Sequence, residues 1–199
     1  MREPAPPRND ANEDRLLVER LRRRDREAFR EVYARYAGPT FGFLARLCGA
    51  PDRAEDLHQE TWLAVAKSAP RLDAESDLAA WIFTIARNQF RSAQRSLARL
   101  RAREGVRGSS PLAAPAVDDP AARDLEKALQ ALPAAHREIL LLVGVEGLAL
   151  ERAAAVLELR PDAARQRLAR ARAALTERLA AGETTVPALP AMTARRGAR

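Results

Sequence analysis

Between Thr84 and Arg103 the chain carries six arginines and no acidic residue, with Asn88 among them. Arg87, Arg91, Arg95 and Arg99 recur at the spacing of one helix flank. Their charges repel along it, a polyanion relieves that repulsion, and each phosphate contact adds a salt-sensitive increment of affinity. An amide such as Asn88 both donates and accepts, as reading a base edge requires. Thr84 shares the flank. Trp81 and Phe83 are of the type that stacks on unpaired bases, and equally of the type that fills a helical core.

A second group lies near the C-terminus. Asp162, Ala163, Gln166, Ala169 and Arg170 share one face of a helix, flanked by Arg165 and Arg167. Small alanines let a backbone approach the floor of a major groove, Gln and Arg read base edges, and flanking arginines reach phosphates on the groove walls. A third face, Asp56, Gln59, Glu60 and Leu63, lies opposite the apolar stripe Ala54, Leu57, Thr61, Trp62 and Val65. A solvated helix surface accounts for its polarity; an exposed leucine among acids and an amide also suits a partner's basic helix.

Catalysis has no comparable foothold. No Gly-rich phosphate loop, nucleophile-and-base pair or metal-ligand spacing is present, and no cofactor is expected. Cys48 is the single cysteine, which excludes an intramolecular disulfide and points to a reducing, cytoplasmic location. His58 and His136 stand apart with no ligand spacing around either. The longest apolar runs, such as Ile139 to Val145, fall far short of the roughly 20 residues that span a bilayer. With 34 Lys plus Arg against 27 Asp plus Glu, a net charge of +7 suits a polyanionic partner.

Helices must position these groups, since no stretch alternates with period two. Glu13 to Arg22 and Asp25 to Tyr36 have apolar residues at helical spacing, with Asp25 as a cap; Pro39 starts a short third helix that Gly49 ends with positive φ. Asp52 and Glu55 make a capping-box-like start to a fourth, and Ser76 or Asp77 opens the longest, to about Arg103, with Leu78, Ile82, Ile85, Ala93 and Leu100 on its core side. Asp119 and Pro120 then open a helix with Leu125, Ala128, Leu129 and Leu132 as its apolar face, and Pro133 begins another that ends near Gly144 to Gly147. Leu150 to Leu157 and Asp162 to Leu179 follow, four residues apart, the length of a helix-turn-helix corner. The expected fold is all-α: two small helical domains, 13–103 and 120–181, the second a four-helix domain with a helix-turn-helix. A flexible linker at 104–119 and disordered ends at 1–12 and 182–199 complete it.

From about Asp14 to Leu179 the chain resembles the extracytoplasmic-function (ECF) branch of the bacterial sigma factors. Asp25-Arg-Glu-Ala-Phe-Arg-Glu-Val-Tyr-Ala-Arg-Tyr resembles the family's first conserved region. Ala54-Glu-Asp-Leu-His-Gln-Glu-Thr-Trp-Leu resembles the acidic helix that docks on the polymerase's largest subunit, and Ala80-Trp-Ile-Phe-Thr-Ile-Ala-Arg-Asn-Gln-Phe the segment that melts and reads the −10 element. Leu132-Pro, Arg137-Glu-Ile-Leu-Leu-Leu, Glu146-Gly-Leu and Arg167-Leu-Ala-Arg-Ala-Arg are similar to the domain that binds the −35 element.

The resemblance implies a non-catalytic initiation factor, monomeric when free, with core RNA polymerase, promoter DNA and an anti-sigma factor as partners and no membrane association. It assigns polymerase docking to Asp56, Gln59, Glu60 and Leu63, the −10 element to Trp81, Thr84, Arg87, Asn88, Arg91 and Arg95, and the −35 element to Asp162, Arg165, Gln166, Arg167 and Arg170. The second domain departs from the family at three places. Ala149 replaces a capping Ser or Thr, Glu158 a turn glycine, and Asp162-Ala163 the usual Gly-Thr. A lost cap costs roughly 1 kcal/mol, and a bulky residue at positive φ about as much. Asp162 is repelled by phosphate and suited to accept from a cytosine amino group, so −35 specificity is expected to differ from relatives. The competing reading is a stand-alone helix-turn-helix regulator with an N-terminal sensor or dimerisation domain. It accounts for neither the acidic face nor the arginine run.

Overall fold

The computed structural model describes residues 11–104 and 119–183. Most of the expected N-terminal segment, the linker apart from its two ends, and the tail from residue 184 lie outside the described residues. Among the described residues eight α-helices follow in order: α1 Ala11–Arg22, α2 Arg26–Cys48, α3 Pro51–Ser68, α4 Leu78–Glu104, α5 Pro120–Gln130, α6 Ala134–Leu140, α7 Leu150–Val156 and α8 Pro161–Glu183. A 3₁₀ turn at Ala69–Arg71 follows α3, and a π-helical turn at Leu141–Val145 extends α6.

Local chemistry sets most boundaries. Asp25 caps α2, its Oδ1 accepting from the backbone N–H of Glu27 at 2.8 Å and of Ala28 at 3.3 Å. Gly49 closes α2 at φ 65°, where its N–H donates to Ala45 O at 2.9 Å. Asp77 caps α4 through Ala80 N–H at 3.0 Å, and Asp119 caps α5 through Ala121 N–H at 3.1 Å.

Three expectations are corrected. Pro39 does not start a separate helix but sits inside α2. The buried residues Val32, Tyr36, Thr40, Phe43 and Leu44 keep helical spacing across it, and the burial of that stripe outweighs the one hydrogen bond proline removes. α3 starts at Pro51 with Ala50 ahead of it and no side-chain cap, so Asp52 lies in the first turn, where its negative charge complements the helix dipole. Leu100 and Leu125, assigned to apolar faces, are 50% and 41% exposed, because α4 runs past the elements it packs on and α5 turns Glu126, Ala128 and Leu129 inward.

In the N-terminal half α2, α3 and α4 pack together, with Phe43 and Phe83 edge to face at 5.4 Å, and α1 covers α2. In the C-terminal half α8 packs on α5, α6 and α7. The two halves share one hydrophobic core: α4 lies on α7, and α2 lies on α5 and α6. The corner between α7 and α8 turns on Glu158 at φ 56°, and Ala149 leaves α7 without a side-chain cap. Two of the three departures noted in the sequence are thus present as expected, a non-glycine residue at positive φ and an uncapped start to α7.

Candidate nucleic-acid and polymerase interfaces

On α3 the buried stripe is Ala54, Leu57, Thr61, Trp62 and Val65, as its spacing predicts. Asp56, Gln59 and Glu60 are exposed on the other side, and Leu63 is 72% exposed. His58 flanks that stripe, packed beside Trp62, whose indole N–H lies 2.9 Å from its Nε2, and burial holds the imidazole below its ordinary value. The acidic face thus rests on a rigid aromatic wall that includes Phe29 and Tyr33 edge to face with Trp62.

The flank of α4 divides. Asn88, Arg91 and Arg95 are exposed, and Thr84 is half-buried with its hydroxyl donating to Ala80 O at 2.7 Å. Trp81 is half-buried against the core. Phe83 is buried, which settles it as a packing residue. Arg87 departs furthest from the sequence expectation of an open DNA-contacting side chain, for it is only 2% exposed. Its Nε donates to Glu138 Oε2 at 3.3 Å, Nη1 to Val156 O at 3.0 Å and Glu158 Oε1 at 3.3 Å, and Nη2 to Leu157 O at 3.4 Å. A guanidinium taken out of water needs such partners for its charge and its N–H groups. Arg91 stands 4.0 Å from the other oxygen of the same Glu138 carboxylate.

Further contacts join the halves. Gln130 Nε2 donates to Arg46 O at 2.6 Å, and Arg137 Nη1 donates to Leu47 O at 3.0 Å. Arg137 also donates to the side-chain amide oxygen of Gln130, and its own burial lowers its pKa. Arg152 forks onto both oxygens of the Asp77 carboxylate, a pairing that raises the Arg152 pKa. The last turn of α2 and the end of α7 each expose carbonyls that no helical N–H reaches, and each is met by a cationic or amide side chain from the opposite half.

On α8, Ala164, Leu168 and Ala171 are buried, while Asp162, Ala163, Arg165, Gln166, Ala169 and Arg170 are exposed and Arg167 is half-buried. Asp162 accepts from Arg165 Nη1 at 2.5 Å, which offsets the charge expected to repel phosphate. Elsewhere burial pushes the Cys48 thiol up to about 11, so it stays protonated, and pushes the Glu146 carboxyl up to about 7.

The sequence reading missed the partners of Arg87, although one signal was present. Glu138 precedes the apolar run Ile139 to Leu142 in which every residue is buried, and an acid at the edge of such a run needs a cation. Which cation would supply it was not legible from spacing, because Arg87 lies 51 residues away.

The family models Sigma-70 region 2 and Sigma-70, region 4 match residues 32–100 and 122–175. The RNA polymerase sigma factor CarQ of Myxococcus xanthus is 38% identical over 166 residues, 81% of this chain and 95% of that protein. The ECF RNA polymerase sigma factor EcfG of Rhodopseudomonas palustris is 37% identical over 138 residues, 67% of this chain and 75% of that one. Among solved structures, the sigma factor RpoE in complex with the anti-sigma factor NepR from Bartonella quintana aligns with a TM-score of 0.69 at 32% identity. That alignment covers 76% of this chain and 96% of RpoE.

Proposed function

The chain belongs to the sigma-70 family, in its ECF branch, and on that premise we propose a division of labour among its three faces. As a sigma factor it binds core RNA polymerase and directs promoter-specific initiation. The domain holding α1 to α4 docks on core polymerase through Asp56, Gln59, Glu60 and Leu63 and engages the −10 element through α4. There Asn88 reads a base, Arg91 and Arg95 hold the strand's phosphates, and Trp81 and Thr84 border the site. The domain holding α5 to α8 reads the −35 duplex with Arg165, Gln166 and Arg170, Asp162 and Arg167 lying beside them. The polymerase supplies the metal and the chemistry, the chain contributes no catalysis, and it works in the cytoplasm. An anti-sigma factor, of the kind bound to RpoE, holds it in reserve.

The observation that carries the docking role is Leu63, 72% exposed in the middle of an acidic face and backed by a packed aromatic wall. Reversing charge at Asp56 and Glu60 to Lys should abolish co-elution with core polymerase in size exclusion. Stability should change little, since exposed substitutions usually shift it by no more than about 0.5 kcal/mol. Undiminished co-elution of the charge-reversed chain would refute the assignment. Failure of the parent chain to co-elute without DNA would favour the stand-alone regulator.

A further inference from the structure

The turn from α1 into α2 and the end of α3 border a cavity of about 480 Å³ that lies outside the three faces assigned above. Its floor is apolar: Leu21 and Ala69 are buried, and Phe29 is half-buried with its ring edge to face against Trp62 at 5.9 Å. Its rim is cationic. Arg24, Arg26, Arg30 and Lys67 stand around it, all exposed, against one carboxylate, Asp25. That carboxylate is already engaged: Oδ2 accepts from Arg20 Nε at 2.7 Å, and Oδ1 takes the N–H groups that open α2. Arg30 is shared with Glu27 at 2.6 Å, but the side chains of Arg24, Arg26 and Lys67 have no partner among the described residues.

Arg24 is held there at a backbone cost. It ends α1 in the left-handed region at φ 61°, its N–H donating to Leu21 O at 2.9 Å and the next N–H, of Asp25, to Arg20 O at 3.1 Å. Glycine commonly fills that position of a helix end, since a side chain is disfavoured at positive φ. An arginine kept at the mouth of a cavity against that preference is strain of the sort that collects at binding sites. Like charges drawn around so small a space repel one another until an anion lies between them.

We propose that this cavity binds a nucleoside di- or triphosphate, its base lying on the apolar floor beside Phe29 and its phosphates held by Arg24, Arg26, Arg30 and Lys67. The volume falls within the roughly 300–1,000 Å³ of small-molecule sites, which are likewise apolar with a few polar groups converging on them. An aromatic side chain takes any base by stacking, and an arginine fork matches phosphate oxygens in pairs. The density of charge selects the ligand class. A polyphosphate carries several charges within the span of this rim, whereas the carboxylates of an acidic peptide are spread along its backbone. Ala66 and Lys67 also border the space beneath Leu63, so the ligand's charge lies at the edge of the acidic face of α3.

The test titrates the full chain with ATP, ADP, adenosine and inorganic triphosphate by calorimetry, without added divalent metal and at about 0.15 M salt, where exposed charges are well screened. ATP and ADP should bind at one site per chain, about tenfold or more tighter than adenosine or triphosphate, each of which meets only part of the site. Lys67→Gln and Arg24→Gly, made separately, should each weaken ATP about tenfold, the worth of one charge-assisted hydrogen bond. Arg24→Gly should melt no lower than the parent, because glycine adopts the left-handed region freely, so its loss of binding is not a loss of fold. Two control pairs should leave ATP affinity nearly unchanged: Arg22→Gln with Arg23→Gln, which border the turn but not the cavity, and Arg91→Gln with Arg95→Gln on α4. An equal loss from either pair would mean that ATP samples basic surface in general and would overturn the proposal. So would triphosphate binding as tightly as ATP, an affinity that Lys67→Gln and Arg24→Gly leave intact, or no binding of either nucleotide.

Discussion

Replacing Glu146 with Gln should stabilise the protein at pH 8 and leave it nearly unchanged at pH 5. Glu146 follows the π-helical turn, and burial drives its carboxyl from 4.5 to about 7, an effect that Arg46 only partly opposes. Because the folded state holds this proton more tightly than the unfolded chain does, the group's contribution to stability is fully present below about pH 4.5. It is lost as the pH rises through 7. At about 1.4 kcal/mol for each pH unit between the two values, the ionised carboxylate costs on the order of 3 kcal/mol at pH 8. Glu146 is not wholly enclosed, so water screens part of that and the figure is a ceiling.

Gln keeps the size and loses the charge. Thermal melts of both chains, read by circular dichroism at pH 5 and pH 8, measure the difference directly. For a chain of this length a gain of 1 kcal/mol raises Tm by roughly 2–4 °C, so a shift of several degrees at pH 8 alone is expected. An equal difference at both pH values refutes burial of the charge as its source.

Asn88→Ala should reduce open-complex formation on a fully paired promoter and blur preference at one −10 base while docking on core stays normal. On a promoter with a pre-melted bubble and one non-template base varied at a time, discrimination as sharp as the parent's would mean that Asn88 does not read that strand. Substituting Arg165, Gln166 and Arg170 with Ala, singly, should weaken binding to upstream duplex, with a true base contact costing about 1–3 kcal/mol in a base-dependent way. Uniform weakening across promoter variants, measured by titration at fixed salt, would reduce them to phosphate contacts.

Most helix caps, the exposed faces of α3 and α8 and the division into two helical halves were legible in the amino-acid sequence because each depends on residues within a turn or two of one another. Asp25, Asp77 and Asp119 accept from N–H groups two or three residues away, and Gly49 takes positive φ from its own lack of a side chain. The exposed faces of α3 and α8 followed from the same cause: what faces water is the complement of an apolar stripe. Glu158 at positive φ was anticipated in the same way, from the geometry a tight corner imposes.

Tertiary structure decided the rest. Proline's local tendency to break a helix lost at Pro39 to a stripe of buried side chains whose energy comes from α3 and α4. Arg87 has the spacing of its exposed neighbours Arg91 and Arg95, and that spacing does not distinguish the three. Its burial comes from Glu138, Val156, Leu157 and Glu158, between 51 and 71 positions along the chain. Helical periodicity tells which side of a helix is polar. Whether that side meets water or a distant carboxylate depends on how the two halves pack, through a shared apolar core and through side chains that reach the carbonyls left open at the ends of α2 and α7.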